Sequence, residues 1–184
     1  MRGGSQCLIE DNRIFDCLGG IRLSGTKHVV RNNLIVSSSR TGIRLLYGMT
    51  REQGGHYQAA GECVIERNTI VDAGQVRILV GDGRDDDWGD KGLRNVPPEG
   101  NRIFDNAISG KAGDLLFADA APNNEIEGNF FYRSRDARIS DPGSNAAFGS
   151  LVFRDPDSRD FRLNRSRSAE QALSKGAHLD PPRN

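Results

Sequence analysis

Short apolar runs alternate with polar residues along the chain, and one pattern of positions recurs. An Ile or Val is followed three positions later by Asn, and two positions after that by Ile or Phe. Its five copies are Ile9-Asn12-Ile14, Val30-Asn33-Ile35, Ile65-Asn68-Ile70, Ile103-Asn106-Ile108 and Ile126-Asn129-Phe131. A second short strand pattern is centred nine to eleven residues after each asparagine, in Gly20–Leu23, Gly42–Leu45, Val76–Leu79, Asp114–Phe117 and Ala137–Ser140.

The asparagine spacings define the repeat. They are 21 (33−12), 35 (68−33), 38 (106−68) and 23 (129−106) residues, so the basic coil has about 22 residues. Two coils carry insertions, near Met49–Ala60 and Asp82–Pro98. No long window shows apolar residues at helical spacing. The pattern therefore predicts an all-β fold, a right-handed parallel β-helix of about five to six coils.

Stacked asparagines and a C-terminal closing segment complete the predicted architecture. Identical amides on successive coils can hydrogen-bond along the stack, so we expect them to point inward at a bend. Ordinary surface turns are the alternative. Residues 1–150 are predicted to form the coils, and 151–184 a capping segment and tail. That segment contains a closing strand within Phe153–Leu163 and a short helix within Ser166–Ala177.

The second strand of each coil carries arginine. In the Gly-Ile-Arg-Leu pattern the pleat sends Ile and Leu inward, as for Ile21, Leu23, Ile43 and Leu45, and sends arginine outward. We expect one outward column formed by Arg22, Arg44, Arg77 and Arg138, interrupted by Leu115 and extended upward by Arg2. Stacked like charges are mildly destabilising. The column therefore favours a site for regularly spaced carboxylates, and a solvated face neutralised by nearby Asp and Glu is the alternative.

Charge, cysteine content and the absence of common motifs limit the classes of partner and of chemistry that the sequence supports. The 25 basic and 25 acidic residues cancel, which gives no reason to expect nucleic acid or a membrane as partner. No apolar stretch approaches a membrane span, and the N-terminus does not read as a signal peptide. Cys7 and Cys63 occupy equivalent positions two coils apart, too far for a disulfide. Phosphate-binding loops and the CxxC, HExxH and GxSxG motifs are absent from the sequence.

Both predicted insertions contain residues with candidate chemistry. His56 and Tyr57 in the first can act as proton shuttles or sugar-stacking surfaces, or simply fix the loop. In the second insertion the acidic segment Asp82–Asp90 offers oxygen ligands for calcium, but solvated acidic loops are more common. Trp88 is a sugar platform or a loop anchor, with the anchor favoured. His28, at the start of a strand, is expected to be structural.

Several segments resemble polysaccharide lyase family 6, the alginate lyase and chondroitinase B family. They are Met1–Cys7, Gly19–Gly25, His56–Gln58, Cys63–Asp72 and Pro98–Ile108, and the likeness spans roughly residues 1–150. The resemblance implies a parallel β-helix that cleaves uronic-acid polymers by β-elimination, with calcium, a lysine base and an arginine. By position, Arg2 matches the catalytic arginine and Arg22 a substrate-binding one. Arg44, His56, Tyr57 and Arg77 are the further predicted substrate-binding residues.

Departures from that family qualify the prediction. Gly3 stands where the family usually has histidine, and the family's lysine and Asn/Glu/Glu calcium ligands precede the arginine strand at which this chain starts. We therefore expect a fragment that is weak or inactive alone, from a secreted or periplasmic parent. An uncapped first coil would favour self-association.

The sequence is compatible with three functions. The first is part of a lyase that acts on alginate, another polyuronate or a glycosaminoglycan. The second is a non-catalytic polyuronate-binding module, and the third is a structural β-solenoid.

Overall fold

The chain is described by a computed structural model covering residues 3–50, 52, 57–72, 74–89, 92–118, 123–139, 147–148, 153–155 and 158–163. Apart from a 3₁₀ turn at Gly89, the regular structure in these ranges is β. In chain order the strands are β1 Leu8–Glu10, β2 Arg13–Phe15, β3 Ile21–Leu23, β4 Gly25–Thr26, β5 Val29–Arg31, β6 Leu34–Val36, β7 Thr41–Leu46, β8 Ala60–Gly61, β9 Val64–Glu66, β10 Thr69–Val71, β11 Val76–Asp82, β12 Arg102–Phe104, β13 Ala107–Ala118, β14 Glu125–Glu127, β15 Phe130–Ile139, β16 Ala147–Phe148, β17 Phe153–Asp155 and β18 Asp160–Leu163. Nowhere in the described ranges is there a helix with the length and hydropathy needed to cross a membrane.

Equivalent strands of successive coils stack in parallel on three faces. Face A is β1-β5-β9-β12-β14. Face B is β2-β6-β10 followed by the first halves of β13 and β15 and by β16, and face C is β3-β7-β11 followed by the second halves of β13 and β15. The fold is the predicted right-handed parallel β-helix. Five strands on face A and six on face B agree with the predicted coil number.

Aliphatic side chains fill the interior because each short strand turns alternate residues inward. On face A, Val30, Ile65 and Ile103 stack in register and are fully buried. The same alternation buries the four inward residues predicted for face C, which are Ile21, Leu23, Ile43 and Leu45. The hydrophobic interior is therefore a column that runs along the axis of the solenoid.

The predicted asparagine stack lies at the bend between faces A and B. In each step, the backbone N and the side-chain Nδ2 of one asparagine both donate to Oδ1 of the next, at 2.9–3.1 Å. The Nδ2 of Asn68 also donates to the carbonyl of Val30. Each asparagine follows a residue with positive φ, namely Asp11, Asn32, Arg67, Asp105 and Gly128. Asn33, Asn68, Asn106 and Asn129 are fully buried, so the stack satisfies backbone groups inside the bend as predicted.

The two insertions leave the solenoid where predicted, one between β7 and β8 and the other between β11 and β12. The C-terminal β17–β18 hairpin is antiparallel. Its Phe161 packs on the outer side of face B against Leu34, Val36, Val71 and Phe15, so this hairpin covers the side of the coils. The predicted helix within 166–177 lies outside the described residues.

The asparagine stack gives a first prediction. Asn68→Ala removes a buried acceptor for two donors of Asn33 and leaves the Val30 carbonyl without its amide. We expect the free energy of unfolding to fall by about 2–4 kcal/mol. Asn12→Ala is the matched control, because Asn12 is exposed at the end of the stack and should cost about 1 kcal/mol or less. Chemical denaturation measures both, and equal losses would contradict a cooperative buried stack.

Candidate functional site

Register on face C brings four outward side chains into one line. Arg22 pairs with Arg44, Arg44 with Leu79, and Leu79 with Phe117. Neighbouring positions are one strand apart, about 4.8 Å. Both arginines and Leu79 are partly exposed, and Phe117 is 37% exposed. These four residues, which we call the axial column, present two guanidinium groups followed by an apolar surface.

The prediction that Arg77 belongs to the exposed column is wrong. Ile78 pairs with Ile43, which places Arg77 beside Gly42, two residues along the strand from the position level with Arg44. The Arg77 side chain is only 3% exposed and lies over Gly110, where an added Cβ would approach its Nη2 to 2.1 Å. Burial lowers the pKa of Arg77, against the opposing effect of Asp72 and Asp114.

The prediction for Arg77 was wrong because Arg44 and Arg77 lie at different distances along the sequence from their asparagines. Arg44 follows its asparagine by eleven residues (44−33), whereas Arg77 follows by nine (77−68). Pairing of the inward aliphatic residues sets the register, and the eleventh position after Asn68 is Leu79. Leu115 is likewise fully buried rather than an outward interruption of the column.

The structure describes the remaining predicted site residues to different extents. Arg2 and His56 lie outside the described residues, so their roles stay predictions. Arg138 pairs through its backbone with Asp114, but its side chain is not described. Tyr57 is described and is partly buried.

One arginine of the axial column is balanced by a carboxylate. Arg44 Nη1 lies 3.2 Å from Oδ2 of Asp82, and both side chains are about one-quarter exposed. Asp82 ends β11, at the base of the second insertion. The ion pair fixes the direction of the Arg44 side chain but leaves less of its charge for a ligand.

The two insertions are joined by a residue that the sequence did not single out, Arg94. The residue is 1% exposed, and its Nε and Nη2 donate to the Tyr47 carbonyl at 2.9 and 2.6 Å. Its Nη1 lies 3.1 Å from Oδ2 of Asp86. Tyr57 lies 5.8 Å from the Arg94 guanidinium carbon and packs on Trp88 with ring centroids 4.8 Å apart. Tyr57 and Trp88 therefore act as anchors that hold the two loops against each other.

The described carboxylates of the acidic loop are not arranged as a calcium site. Asp82 and Asp86 face Arg44 and Arg94, Asp85 lies 3.6 Å from Arg84, and Asp87 accepts a hydrogen bond from Gly89 N. Nowhere in the described part of the chain do three or more His, Cys, Asp or Glu side chains form a group able to hold a metal. The described carboxylates of this loop serve the arginines and the backbone.

A groove of about 550 Å³ lies where the chain turns from face C to face A. Its lining includes Thr26, Met49 and Gln58, together with the carboxylates of Glu62 and Glu99. Glu62 has Lys27 at 3.7 Å, which offsets one of the two charges. Two carboxylates disfavour a polyanion in this groove. The axial column is therefore the better surface for a ligand that carries carboxylates.

Comparison with known proteins supports this fold. A family model described as "Periplasmic copper-binding protein (NosD)" matches residues 1–150. No curated protein matches the sequence significantly.

Solved structures of polysaccharide lyases share the fold. An alginate lyase of the PL6 family, AlyGC in a mutant form, superposes with a TM-score of 0.63 at 17% identity, over 91% of this chain and 26% of that one. The PL6 family polysaccharide lyase Pedsa3628 from Pseudopedobacter saltans gives 0.57 at 20% identity, over 96% of this chain and 45% of that one. The chain thus spans less than half the length of either structure, and at this identity the likeness extends to the fold alone.

Arg94 yields a prediction about the loops. Arg94→Ala leaves the Tyr47 carbonyl and Asp86 without their cation, and we expect a loss of about 2–4 kcal/mol in unfolding free energy. Trp88 is the only tryptophan, so its emission should shift to the red as the loops separate. Arg84→Ala, an exposed residue of the same loop, should leave both quantities unchanged. An unshifted spectrum for Arg94→Ala would contradict this role.

Proposed function

We propose that this chain, which belongs to the family described as periplasmic copper-binding protein (NosD), binds an acidic polysaccharide along face C, because its solenoid carries the axial column there. The observation that carries this proposal is the register of Arg22 on Arg44, continued by Leu79 and Phe117. The ligand class is a polyuronate such as alginate, or a related glycosaminoglycan.

The chemistry of the axial column suits such a polymer. Guanidinium groups bind carboxylates through paired hydrogen bonds, and two of them stand on adjacent coils. The partly exposed Leu79 and Phe117 offer an apolar surface to the C–H faces of sugar rings. A uronate polymer has both charged and apolar sides. A polysaccharide lying parallel to the solenoid axis would contact both the arginines and the apolar residues of the axial column.

Energetics favour weak, salt-sensitive binding. An exposed ion pair contributes about 0.2–1 kcal/mol and is screened by salt. Arg44 must also exchange part of its contact with Asp82 for the ligand. Useful affinity therefore depends on neighbouring uronates of one polymer engaging both arginines of the column at once.

The finer part of the proposal concerns catalysis. We propose that the whole protein, secreted or periplasmic, is a lyase. In β-elimination a base takes the C5 proton, the C4–O4 bond breaks, a C4=C5 double bond forms and O4 leaves with a proton. Arg2 is the residue of this chain that the family resemblance assigns to assisting that departure. We propose that these 184 residues bind the polymer without turnover, because the family resemblance assigns them only the arginine of that catalytic set.

A structural β-solenoid is the second candidate. The observation that favours it is the Arg44–Asp82 ion pair, since a neutralised arginine needs no ligand. Binding measurements separate the two candidates.

The binding test compares a double variant with a control on another face. Arg22→Ala combined with Arg44→Ala should weaken retention on immobilised alginate by about two- to thirtyfold in affinity, and salt should weaken the wild-type retention. Arg102→Ala is the control, because Arg102 is exposed on face A and paired with Glu125. A neutral polysaccharide resin should retain none of the proteins. If alginate retains the wild type, the double variant and Arg102→Ala equally, or does not retain the wild type, the structural solenoid is favoured.

Turnover has its own readout. The purified wild-type chain should cause no rise in absorbance from unsaturated uronide when mixed with alginate. A measured rise would show that these residues are sufficient for elimination. In that case Arg2→Ala should abolish it.

A further inference from the structure

A second set of equivalent residues lies exactly five positions before each stacked asparagine. Its members are Cys7, His28, Cys63, Asn101 and Asn124. Each follows a residue with positive φ, at Gln6, Lys27, Glu62, Gly100 and Asn123. The carbonyls of Cys7, His28, Cys63 and Asn101 all accept the amide that opens the next strand of face A. The five residues therefore form one column at the bend that leads into face A.

In its C-terminal part this column is an asparagine ladder like the first. The backbone N of Cys63 donates to Oδ1 of Asn101 at 2.9 Å, and Asn101 N donates to Oδ1 of Asn124 at 3.0 Å. The Asn101 side chain also donates to Asn124 Oδ1 at 2.8 Å and to the Ala60 carbonyl at 3.2 Å. These bonds repeat the geometry found between successive members of the first stack.

In the N-terminal part His28 takes the place of an asparagine. It is fully buried, and its Nδ1 accepts from the backbone N of Cys7 at 3.3 Å, as an amide oxygen would. Its Nε2 lies 3.3 Å from the Ser24 carbonyl, an acceptor that requires the proton to be on Nε2. The neutral ring thus reproduces one acceptor and one donor of an asparagine side chain.

The same column contains the soft ligand atoms that copper prefers. Thiolate and imidazole are favoured ligands of copper, and Cys7, His28 and Cys63 stand on three successive coils. Their contacts do not fit a bound ion. Both His28 nitrogens face backbone groups, and the fully buried Cys63 sulfur lies 3.4 Å from the Gly61 carbonyl. Burial raises the pKa of the Cys63 thiol, which opposes the thiolate form that a metal needs.

We propose that Cys7, His28 and Cys63 are members of a second asparagine-type ladder, in which they stabilise the bend and do not hold copper. This role is independent of the proposed polysaccharide binding. If it holds, the copper named in the family description is not bound by Cys7, His28 and Cys63.

The first experiment uses the unmodified protein. Nitrogen chemical shifts of the His28 ring should report the neutral tautomer with the proton on Nε2, and adding one equivalent of Cu(I) under reducing conditions should leave them unchanged. A proton on Nδ1, or a shift of the His28 signals on adding Cu(I), would overturn the proposal. Neither result depends on making a variant that folds.

The second experiment compares two replacements of His28. His28→Asn keeps an acceptor and a donor and should retain the wild-type denaturation midpoint, whereas His28→Leu should lower it clearly. Cu(I) competition with a chromophoric chelator should give the same affinity and stoichiometry for the wild type and His28→Asn, even if copper binds elsewhere on the chain. Equal destabilisation by Asn and Leu, or loss of one copper equivalent in His28→Asn, would contradict the ladder role.

Discussion

The stack of buried asparagines sets the register of the coils, and the positions of the other side chains depend on that register. Each one receives two hydrogen bonds from the preceding coil, so a slip of one residue would break both and turn the aliphatic face outward. Coils with insertions of different length therefore still start face B at the same point. From there, pairing of inward residues such as Ile43 and Ile78 sets the register of face C. The outward residues line up only as a consequence.

That constraint explains why arginines of similar sequence context have different roles. Arg22 and Arg44 pair on adjacent coils and are accessible, whereas Arg77 is shifted by two residues and packs over Gly110. Arg94 has a third role, because it is buried between the two insertions and ties them together. Register and burial thus decide whether a guanidinium on this solenoid is exposed and able to meet a ligand, is packed against a neighbouring coil, or joins the two insertions.

The sequence was sufficient for the fold because the repeat is local and its period is nearly constant. It predicted the coils, the inward residues and the bend at each asparagine. It failed at Arg77, which follows its asparagine by nine residues whereas Arg44 follows by eleven, so that Leu79 and not Arg77 pairs with Arg44. Arg94 was missed because its contact with Tyr47 joins residues 47 positions apart. The second ladder was hidden by His and Cys in asparagine positions, although its constant offset of five residues from the first was readable.

We propose that this register forms a continuous ligand surface from Arg22 to Phe117. The most direct measurement is a titration of the isotope-labelled chain with a short oligouronate, followed by backbone amide shifts. We predict the largest changes at Arg22, Arg44, Leu79 and Phe117, reversed by added salt. Changes confined to the groove around Glu62 and Glu99, or none at saturating oligouronate, would contradict the claim.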